Sequence, residues 1–384
     1  MRTVVAVRAD RVRIPFRRPF ATSAGMWLER EAWILRLTDA DGRVGFGEAV
    51  LEPADGATAA SVLEHLVREL VAGSGQGALP TTAELEMHGS PGRALRAALD
   101  SARLDLGDEE LNGLGRFDRG ARPGVGVNAT LPSLDPRTLA EAALQAVATG
   151  FRTLKLKAGA ERETEVLVDR VRAVRQAVGP DVRLRLDING AWDLDTACER
   201  LDAVERFGLE YVEQPLAGDD AAALAALRRQ VRVPIAADET VVSLRAAREL
   251  LDAEAVDALV VKPVRVGGPV AARAIADLAA GRGVPVVIST LFETGVGIAA
   301  GLAVAAALPD VADRDGGPRV WLPDHGLATA GLLEHDLLVD GMVLDDGRLR
   351  PPAGIDSGRL GIRVSEPAIE RYGTERPPID EWDL

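Results

Sequence analysis

The chain has 384 residues, 47% of them hydrophobic, which is sufficient for one large domain and a smaller one. Its net charge of -14 and its pI near 4.9 disfavour binding to nucleic acid or anionic membranes, and favour a small-molecule partner. The single cysteine, Cys198, excludes an internal disulfide, and no apolar signal core follows Met1, so we expect a cytoplasmic location.

The first 120 residues predict an α+β module. Alternating and helical apolar spacings predict three strands followed by two helices: Thr3–Arg13, Ala32–Thr38, Val44–Glu48, Ala57–Val71 and Ala94–Leu106. We therefore expect a capping domain over residues 1–120.

From about residue 125 the chain alternates short strands with amphipathic helices. The predicted strands are Val125–Leu131, Thr153–Lys157, Arg183–Ile188, Glu210–Glu213, Ile235–Asp238, Ala258–Lys262, Pro285–Ser289 and a weaker one near Val320–Leu322. The predicted helices are Glu161–Val178, Leu194–Phe207, Ala221–Arg229, Leu244–Leu251 and Val270–Ala280. Asp187, Glu213, Asp238 and Lys262 follow one another at intervals of 26, 25 and 24 residues, a period typical of parallel β/α units.

Eight such strands predict an α/β fold with a modified TIM barrel, (β/α)7β, over residues 121–340. Residues 341–384 are too few to fold alone and are expected to pack back on the capping domain. A doubly wound open sheet is the structural alternative, but it would place one crevice at a strand-order switch rather than a polar residue at each strand end. The longest apolar run, Gly295–Leu308, is too short and too rich in Ala and Gly for a membrane span.

Lysine is rare in this chain: Lys155, Lys157 and Lys262 stand beside 42 arginines. A coding bias explains the arginines, and it makes the three lysines informative, because a lysine can act as a base and an arginine cannot. Lys155 and Lys157 lie on the same side of one strand, so mutual repulsion and burial are expected to lower their pKa values. The alternative is a solvated pair on a surface strand.

Three carboxylates close successive predicted strands, at Asp187, Glu213 and Asp238. Each one alone is explained as a helix N-cap, but three at one rim predict a Mg²⁺ site, with Mn²⁺ as an alternative metal. Glu239 points to the other side of its strand and is expected to support the ligands. Lys262 ends a very apolar strand across the barrel mouth from Lys157, although a snorkelling surface lysine is the alternative.

This set resembles the enolase superfamily, and within it the muconate-lactonizing subgroup, on the pattern Lys155-x-Lys157, Asp187-x-Asn189, Glu213, Asp238-Glu239 and Lys262. The resemblance covers nearly the whole chain. It implies abstraction of a proton α to a carboxylate and an enediolate stabilised by the metal. The mandelate racemase subgroup, which uses a His-Asp dyad on later strands, is disfavoured because no histidine lies between His88 and His325.

The later motifs, with Arg185, are similar to the o-succinylbenzoate synthase family: Ser289–Gly297, His325–Thr329 and Leu332-Leu333. That resemblance implies a Mg-dependent syn elimination of water from 2-succinyl-6-hydroxy-2,4-cyclohexadiene-1-carboxylate, giving 2-succinylbenzoate in menaquinone biosynthesis. Dipeptide epimerases usually carry an Asp-x-Asp at the eighth strand, where this chain has Asp324 alone before His325.

The same resemblance implies a role for each lysine. Lys157 would remove the α proton and then protonate the departing hydroxyl, while Lys262 would stay cationic on the other face. Lys155 would tune Lys157 or touch the substrate carboxylate. The residues expected to contact the substrate are Lys155, Asn189, Ser289, Thr290 and Glu293. The loop Phe20–Met26 resembles a cap that closes over substrate, although an ordinary Gly-containing turn explains it too.

Three other functions remain open at this point. A racemase or epimerase of N-acylamino acids or dipeptides would use the two opposed lysines as bases. A Schiff-base aldolase would use Lys262 as the nucleophile. A non-catalytic barrel is expected to have lost some of the lysines and carboxylates, and all of them are present. A homo-oligomer is also left open.

Overall fold

The computed structural model describes residues 3–22, 25–73, 79–108, 111, 124–132, 135–218, 220–309, 311, 323–350 and 359–374. The strands are β1 (Val4–Thr22), β2 (Gly25–Asp39), β3 (Val44–Ala49), β4 (Val125–Gly126), β5 (Ala129–Leu131), β6 (Thr153–Lys157), β7 (Arg183–Asp187), β8 (Tyr211–Glu213), β9 (Ile235–Ala237), β10 (Ala258–Val261), β11 (Val286–Ile288), β12 (Val343–Asp345) and β13 (Arg348–Arg350). The helices are α1 (Gly56–Ala72), α2 (Thr82–Glu86), α3 (Gly89–Leu106), α4 (Pro136–Ala148), α5 (Thr164–Val178), α6 (Leu194–Val204), α7 (Ala221–Gln230), α8 (Leu244–Asp252), α9 (Pro263–Val266), α10 (Pro269–Ala280), α11 (Gly295–Ala306) and α12 (Glu366–Tyr372).

The N-terminal strands form an antiparallel sheet in the order β1-β2-β3, and α1 and α3 cover it. Its core contains alternate residues of the strands, such as Ile14 and Leu35, which are fully buried. Leu360 and Ile362 of the C-terminal segment join the same core. On this basis we propose the division into residues 1–120, 121–340 and 341–384.

Seven parallel strands form the second sheet, in the order β11-β10-β9-β8-β7-β6-β5. Two isolated bridges, Val127 to His325 and Ser289 to Gly326, join its two ends, so the sheet closes. This arrangement confirms the predicted α/β barrel with a separate antiparallel sheet. The predicted eighth strand near Val320–Leu322 lies outside the described residues. A third sheet, β12-β13-β4, is small and antiparallel.

The five helices predicted in the barrel are present as α5, α6, α7, α8 and α10, with ends shifted by up to three residues. Helix α11 was not predicted, because its residues are apolar on every side and show no helical period. It is buried between the barrel and the capping sheet, and therefore needs no polar face. In the described ranges no helix has both the length and the apolarity needed to cross a bilayer.

Strand alternation determines which side chains enter the barrel. Leu154 and Leu156 of β6 are buried against the surrounding helices. Lys155 and Lys157 therefore point to the barrel axis, as the sequence predicted. The surface-strand alternative for these lysines is wrong.

Candidate active site

The parallel register brings the charged strand ends to one rim of the barrel. Lys157 pairs in register with Asp187, and Asp187 pairs with Glu213 on the next strand. Asp238 and Lys262 directly follow β9 and β10. The three predicted metal ligands, Lys157 and Lys262 thus lie at the carboxyl ends of strands, where barrel enzymes carry their sites.

A cavity of about 480 Å³ opens at this rim. The three lysines, Asp187 and Asn189 line it. Ser289 and Thr290 also line it, together with Thr329 of the His325–Thr329 motif and with Thr130, which the sequence did not single out. Glu213 and Asp238 do not line the cavity and are completely buried beside it.

Lys155, Lys157 and two carboxylates form one connected network of ion pairs. The Lys155 Nζ lies 2.8 Å from Asp187 Oδ2 and 2.9 Å from Glu213 Oε1. The Lys157 Nζ donates to Asp187 Oδ2 at 2.7 Å and to Asn189 Oδ1 at 2.9 Å. One carboxylate oxygen of Asp187 therefore binds both ammonium groups.

This network reverses the predicted pKa shift of Lys155. Burial lowers the pKa of Lys155, but the charges of Asp187 and Glu213 outweigh burial and raise it well above the usual value. The expected lowering followed from burial and from repulsion by Lys157, without the attraction of the carboxylates on neighbouring strands. Burial alone would raise the pKa of Asp187, but the positive charges of Lys155 and Lys157 outweigh burial and lower it far below the usual range. The prediction of a lowered pKa for Lys155 is therefore wrong for this arrangement.

Lys262 lies in a second group of charges. Its Nζ is 2.5 Å from Asp238 Oδ2, and the Arg265 Nη1 is 2.6 Å from Asp238 Oδ1. Arg265 also binds Glu52 of the capping domain, and its carbonyl accepts a hydrogen bond from Arg93 at 2.8 Å. The sequence reasoning missed Arg265 and Glu52. Arg265 follows Lys262 by three residues on the short helix α9, and that proximity is the one signal that could have indicated it.

The carboxylates of Asp187, Glu213 and Asp238 are suitable ligands for a hard divalent metal, although in this arrangement they form ion pairs with lysine and arginine side chains. Among the described residues no group of three or more His, Cys, Asp or Glu side chains converges on one point, and Lys155 and Lys262 form ion pairs with Asp187 and Asp238. Among the carboxylates that line the cavity, two buried oxygens nevertheless lack a hydrogen-bond partner: Asp187 Oδ1 and Glu239 Oε2. Such orphaned carboxylate oxygens are what a Mg²⁺ ion would satisfy. The other oxygen of Glu239 accepts from Asn189 Nδ2 at 2.9 Å, beside the cavity.

Glu293 is the one predicted substrate contact that does not line the cavity. Its Oε2 accepts from the backbone N–H of Leu291 at 2.5 Å. Substrate contact by Glu293 stays a prediction, and this position favours a role in shaping the turn before α11.

Arg185 and His325 have structural partners. The guanidinium of Arg185 is completely buried below the carboxylates, bound to Glu210 at 2.5 Å and stacked 4.7 Å above the Tyr211 ring. The Nδ1 of His325 accepts from the backbone N–H of Ile288 at 3.1 Å. Asp324 turns to the barrel base, where its Oδ2 accepts from Thr153 Oγ1 at 2.7 Å.

Aromatic side chains from the capping domain and from the turn after β11 cover the cavity. Trp27 and Phe292 line it, and their ring centroids are 5.2 Å apart. Phe16 packs edge-on against both rings. In the predicted cap loop Phe20–Met26, the backbone of residues 20–22 belongs to β1 and that of residues 25–26 to β2. Residues 23–24 and the side chains of residues 20–25 lie outside the described part of the chain.

Together these features define a class: a β/α-barrel enzyme with lysines and carboxylates at its carboxyl rim, closed by a capping domain. Residues 138–367 match the family model described as enolase C-terminal domain-like. The chain belongs to the enolase superfamily.

Known proteins of this family are similar to the chain over different lengths. An o-succinylbenzoate synthase of Thermobifida fusca (strain YX) is 45% identical over 220 residues, which cover 57% of this chain and 64% of that protein. An N-succinylamino acid racemase of Amycolatopsis sp is 33% identical over 367 residues, 91% of this chain and 92% of that protein. A solved dipeptide epimerase of Enterococcus faecalis V583, complexed with Mg and the dipeptide L-Leu-L-Tyr, has a TM-score of 0.77 and 26% identity, covering 94% of this chain and 99% of that one.

Proposed function

We propose that the chain is an o-succinylbenzoate synthase, a hydro-lyase that dehydrates 2-succinyl-6-hydroxy-2,4-cyclohexadiene-1-carboxylate to 2-succinylbenzoate. The observation that carries the proposal is one cavity that Lys157 and Lys262 both line, with buried carboxylates beneath it. The similarity to the Thermobifida fusca synthase supports the substrate. A role in menaquinone biosynthesis and a cytoplasmic location are parts of the same proposal.

In this proposal Asp187, Glu213 and Asp238 hold Mg²⁺, or Mn²⁺ in its place. The similar epimerase of known structure contains Mg, and the orphaned Asp187 Oδ1 is consistent with a ligand role here. A bound divalent ion would act as a Lewis acid and stabilise negative charge on the substrate carboxylate.

The proton chemistry falls to the two lysines that line the cavity. Lys157 takes the α proton at its Nζ and returns it to the departing hydroxyl on the same face, so the elimination is syn. Lys262 remains an ammonium group on the opposite face, where its charge opposes the negative charge that develops on the substrate. Lys155 orients Lys157 indirectly, because both lysines bind Asp187. Asn189 orients Lys157 directly, by accepting a hydrogen bond from its Nζ.

The cavity wall at Gly326 favours a substrate without a free amino group. The residue two after Asp324 is Gly326, which lines the cavity where dipeptide epimerases usually have a second Asp. A Cβ at Gly326 would lie 2.5 Å from Ser289 Oγ and 3.1 Å from Ser289 Cβ, so Ser289 would have to shift to admit a side chain there. The cavity therefore has no carboxylate at this wall to bind an ammonium group.

The second candidate is an N-succinylamino acid racemase. The observation that favours it is that both lysines line the same cavity, as a two-base reaction requires, and the similarity to the Amycolatopsis racemase covers nearly the whole chain. Deuterium oxide separates the two functions, because a racemase exchanges the α hydrogen of its substrate with solvent.

The decisive experiment is a dehydration assay on the cyclohexadiene carboxylate, run beside a panel of N-succinylamino acids in deuterium oxide. We expect rapid formation of 2-succinylbenzoate that EDTA abolishes and Mg²⁺ restores. Exchange at the α carbon of an N-succinylamino acid without any dehydration would overturn the proposal. Borohydride trapping of a carbonyl substrate on Lys262, unaffected by EDTA, would instead support an aldolase.

A further inference from the structure

One wall of the cavity is a turn that connects β11 to α11. Ser289, Thr290, Leu291 and Phe292 all line the cavity. Phe292 has a φ of +62°, a left-handed conformation that a residue with a side chain keeps only where its surroundings hold it. The shape of this wall therefore depends on contacts behind and above the turn.

Above the turn, the capping domain holds Phe292 by aromatic contacts. Its ring centroid lies 5.7 Å from that of Phe16 and 5.2 Å from that of Trp27. Both partners are on the β1–β2 hairpin. These contacts hold the side chain of Phe292 in place. The backbone of the residues after Phe292 is held by other groups.

Behind the turn, Glu48 of β3 binds the start of α11. The Oε1 of Glu48 accepts from the backbone N–H of Thr294 at 3.0 Å. Its Oε2 accepts from the Thr294 hydroxyl at 2.7 Å and from the N–H of Gly297 at 2.9 Å. Glu48 is completely buried, so water does not replace these bonds, and its charge lies where the helix dipole favours an anion.

The backbone of Gly297 packs closely against Glu293 and Glu48. A Cβ at Gly297 would lie 2.7 Å from the Cβ of Glu293 and 3.1 Å from Glu48 Oε2. Glu293 in turn accepts from the N–H of Leu291 in the turn. A continuous chain of contacts thus runs from the capping sheet through Glu48 and the start of α11 to the cavity wall.

We propose that Glu48 is a positioning residue of the active site, which holds the turn Thr290–Phe292 against the capping sheet and so determines the shape of the substrate cavity. Glu48 does not line the cavity and acts through the turn. The kinetic consequence rests on the proposed function, whereas the structural consequence does not.

Glu48→Gln tests the proposal because it keeps the size of the side chain and removes its charge. We expect KM to rise roughly tenfold with kcat changed less than about threefold, since charge-assisted hydrogen bonds that hold the wall are weakened. Hydrogen–deuterium exchange without substrate should become faster in peptides that cover residues 289–298. Glu69→Gln, on the exposed face of α1, is the matched control and should change neither quantity.

The exchange measurement keeps the test valid if the dehydration proposal fails. If Glu48→Gln does not fold, Thr294→Val removes the hydroxyl that binds Glu48, and Thr294→Ser restores it and should recover the wild-type exchange. Unchanged exchange at 289–298 overturns the proposal. A uniform increase of the exchange rate over the whole chain, with an unchanged KM, also overturns the proposal, because it would indicate a general loss of stability.

Discussion

Lys157 and Lys262 differ in the charges around them, although both line the cavity. Lys157 shares Asp187 with Lys155 and has a neutral second partner in Asn189. Lys262 shares Asp238 with Arg265, a cation that remains charged. Burial and repulsion from Arg265 lower the pKa of Lys262, but the charges of Asp238, Glu239 and Glu52 raise it overall, which supports the proposed fixed ammonium at Lys262.

Lys157→Arg tests the base directly. The variant should fold and bind Mg²⁺, because the positive charge next to Asp187 is kept. Turnover should fall at least ~100-fold, since a guanidinium does not give up a proton and the general-base contribution is lost. Steady-state dehydration rates measure this, with Arg172→Lys on the exposed face of α5 as a control. Wild-type turnover in Lys157→Arg would remove the residue from its proposed role.

Asp187→Asn tests the metal site. The change removes the negative charge of the carboxylate that has an orphaned oxygen, so Mg²⁺ affinity should fall at least about tenfold. Titration calorimetry measures the affinity, and the rise of the unfolding temperature with added Mg²⁺ gives a second readout. Asp202→Asn, on the exposed face of α6, should bind Mg²⁺ as the wild type does. Equal affinities in the two variants would contradict the ligand assignment.

The sequence predicted those site residues that end barrel strands, and it missed those that come from elsewhere. Lysines and carboxylates at a regular spacing of about 25 residues identify strand ends without knowledge of the fold. Trp27 and Glu52 reach the cavity from the capping domain, and no spacing in the sequence relates them to the barrel. The predicted direction of the pKa shift of Lys155 was also wrong, because that shift depends on distances to carboxylates on other strands.

At the scale of elements, Asp105 at the end of α3 joins three parts of the capping domain. Its Oδ2 accepts from the N–H of Phe46 on β3 at 3.0 Å, and its Oδ1 accepts from the N–H of Ile362 at 3.1 Å. Burial raises its pKa to about 6, although these hydrogen bonds oppose the shift. No local pattern in the sequence distinguishes this aspartate from surface ones.

The raised pKa of Asp105 predicts a pH dependence of stability. The folded protein binds the proton more tightly than the unfolded chain, so this contribution is complete below the unfolded pKa near 3.8 and is lost as pH rises through about 6. Asp105→Asn removes the titration and one of the two acceptors. Its destabilisation relative to the wild type should therefore be about 1 kcal/mol larger at pH 5.5 than at pH 7.5.

Urea unfolding at pH 5.5, 6.5 and 7.5 measures that difference while the protein stays above its pI near 4.9. Asp202→Asn serves again as the surface control and should give a constant difference from the wild type. A destabilisation by Asp105→Asn that does not change with pH would show that the carboxylate titrates normally.

At the scale of the whole molecule, α11 makes the barrel and the capping domain one unit. Val296, Ala299 and Ala303 face the core that contains the capping sheet. Ile298 and Leu302 face the core between the barrel sheet and its helices. A helix shared in this way has no amphipathic period, which is why its apolar run predicted no helix. It also means that neither core is complete without the other.

Unfolding should consequently be one cooperative transition, and substitutions in either core should lower its midpoint temperature. Leu302→Ala should cost about 2–5 kcal/mol, and Val296→Ala less because it removes fewer carbon atoms. Scanning calorimetry should show both variants moving the same single transition, whereas Val166→Ala, on the exposed face of α5, should leave it in place. Two transitions, with Val296→Ala moving just one of them, would mean that the capping domain unfolds independently. In that case the cavity wall set by Glu48 would loosen before the barrel does, because the turn before α11 depends on the capping sheet for its contacts.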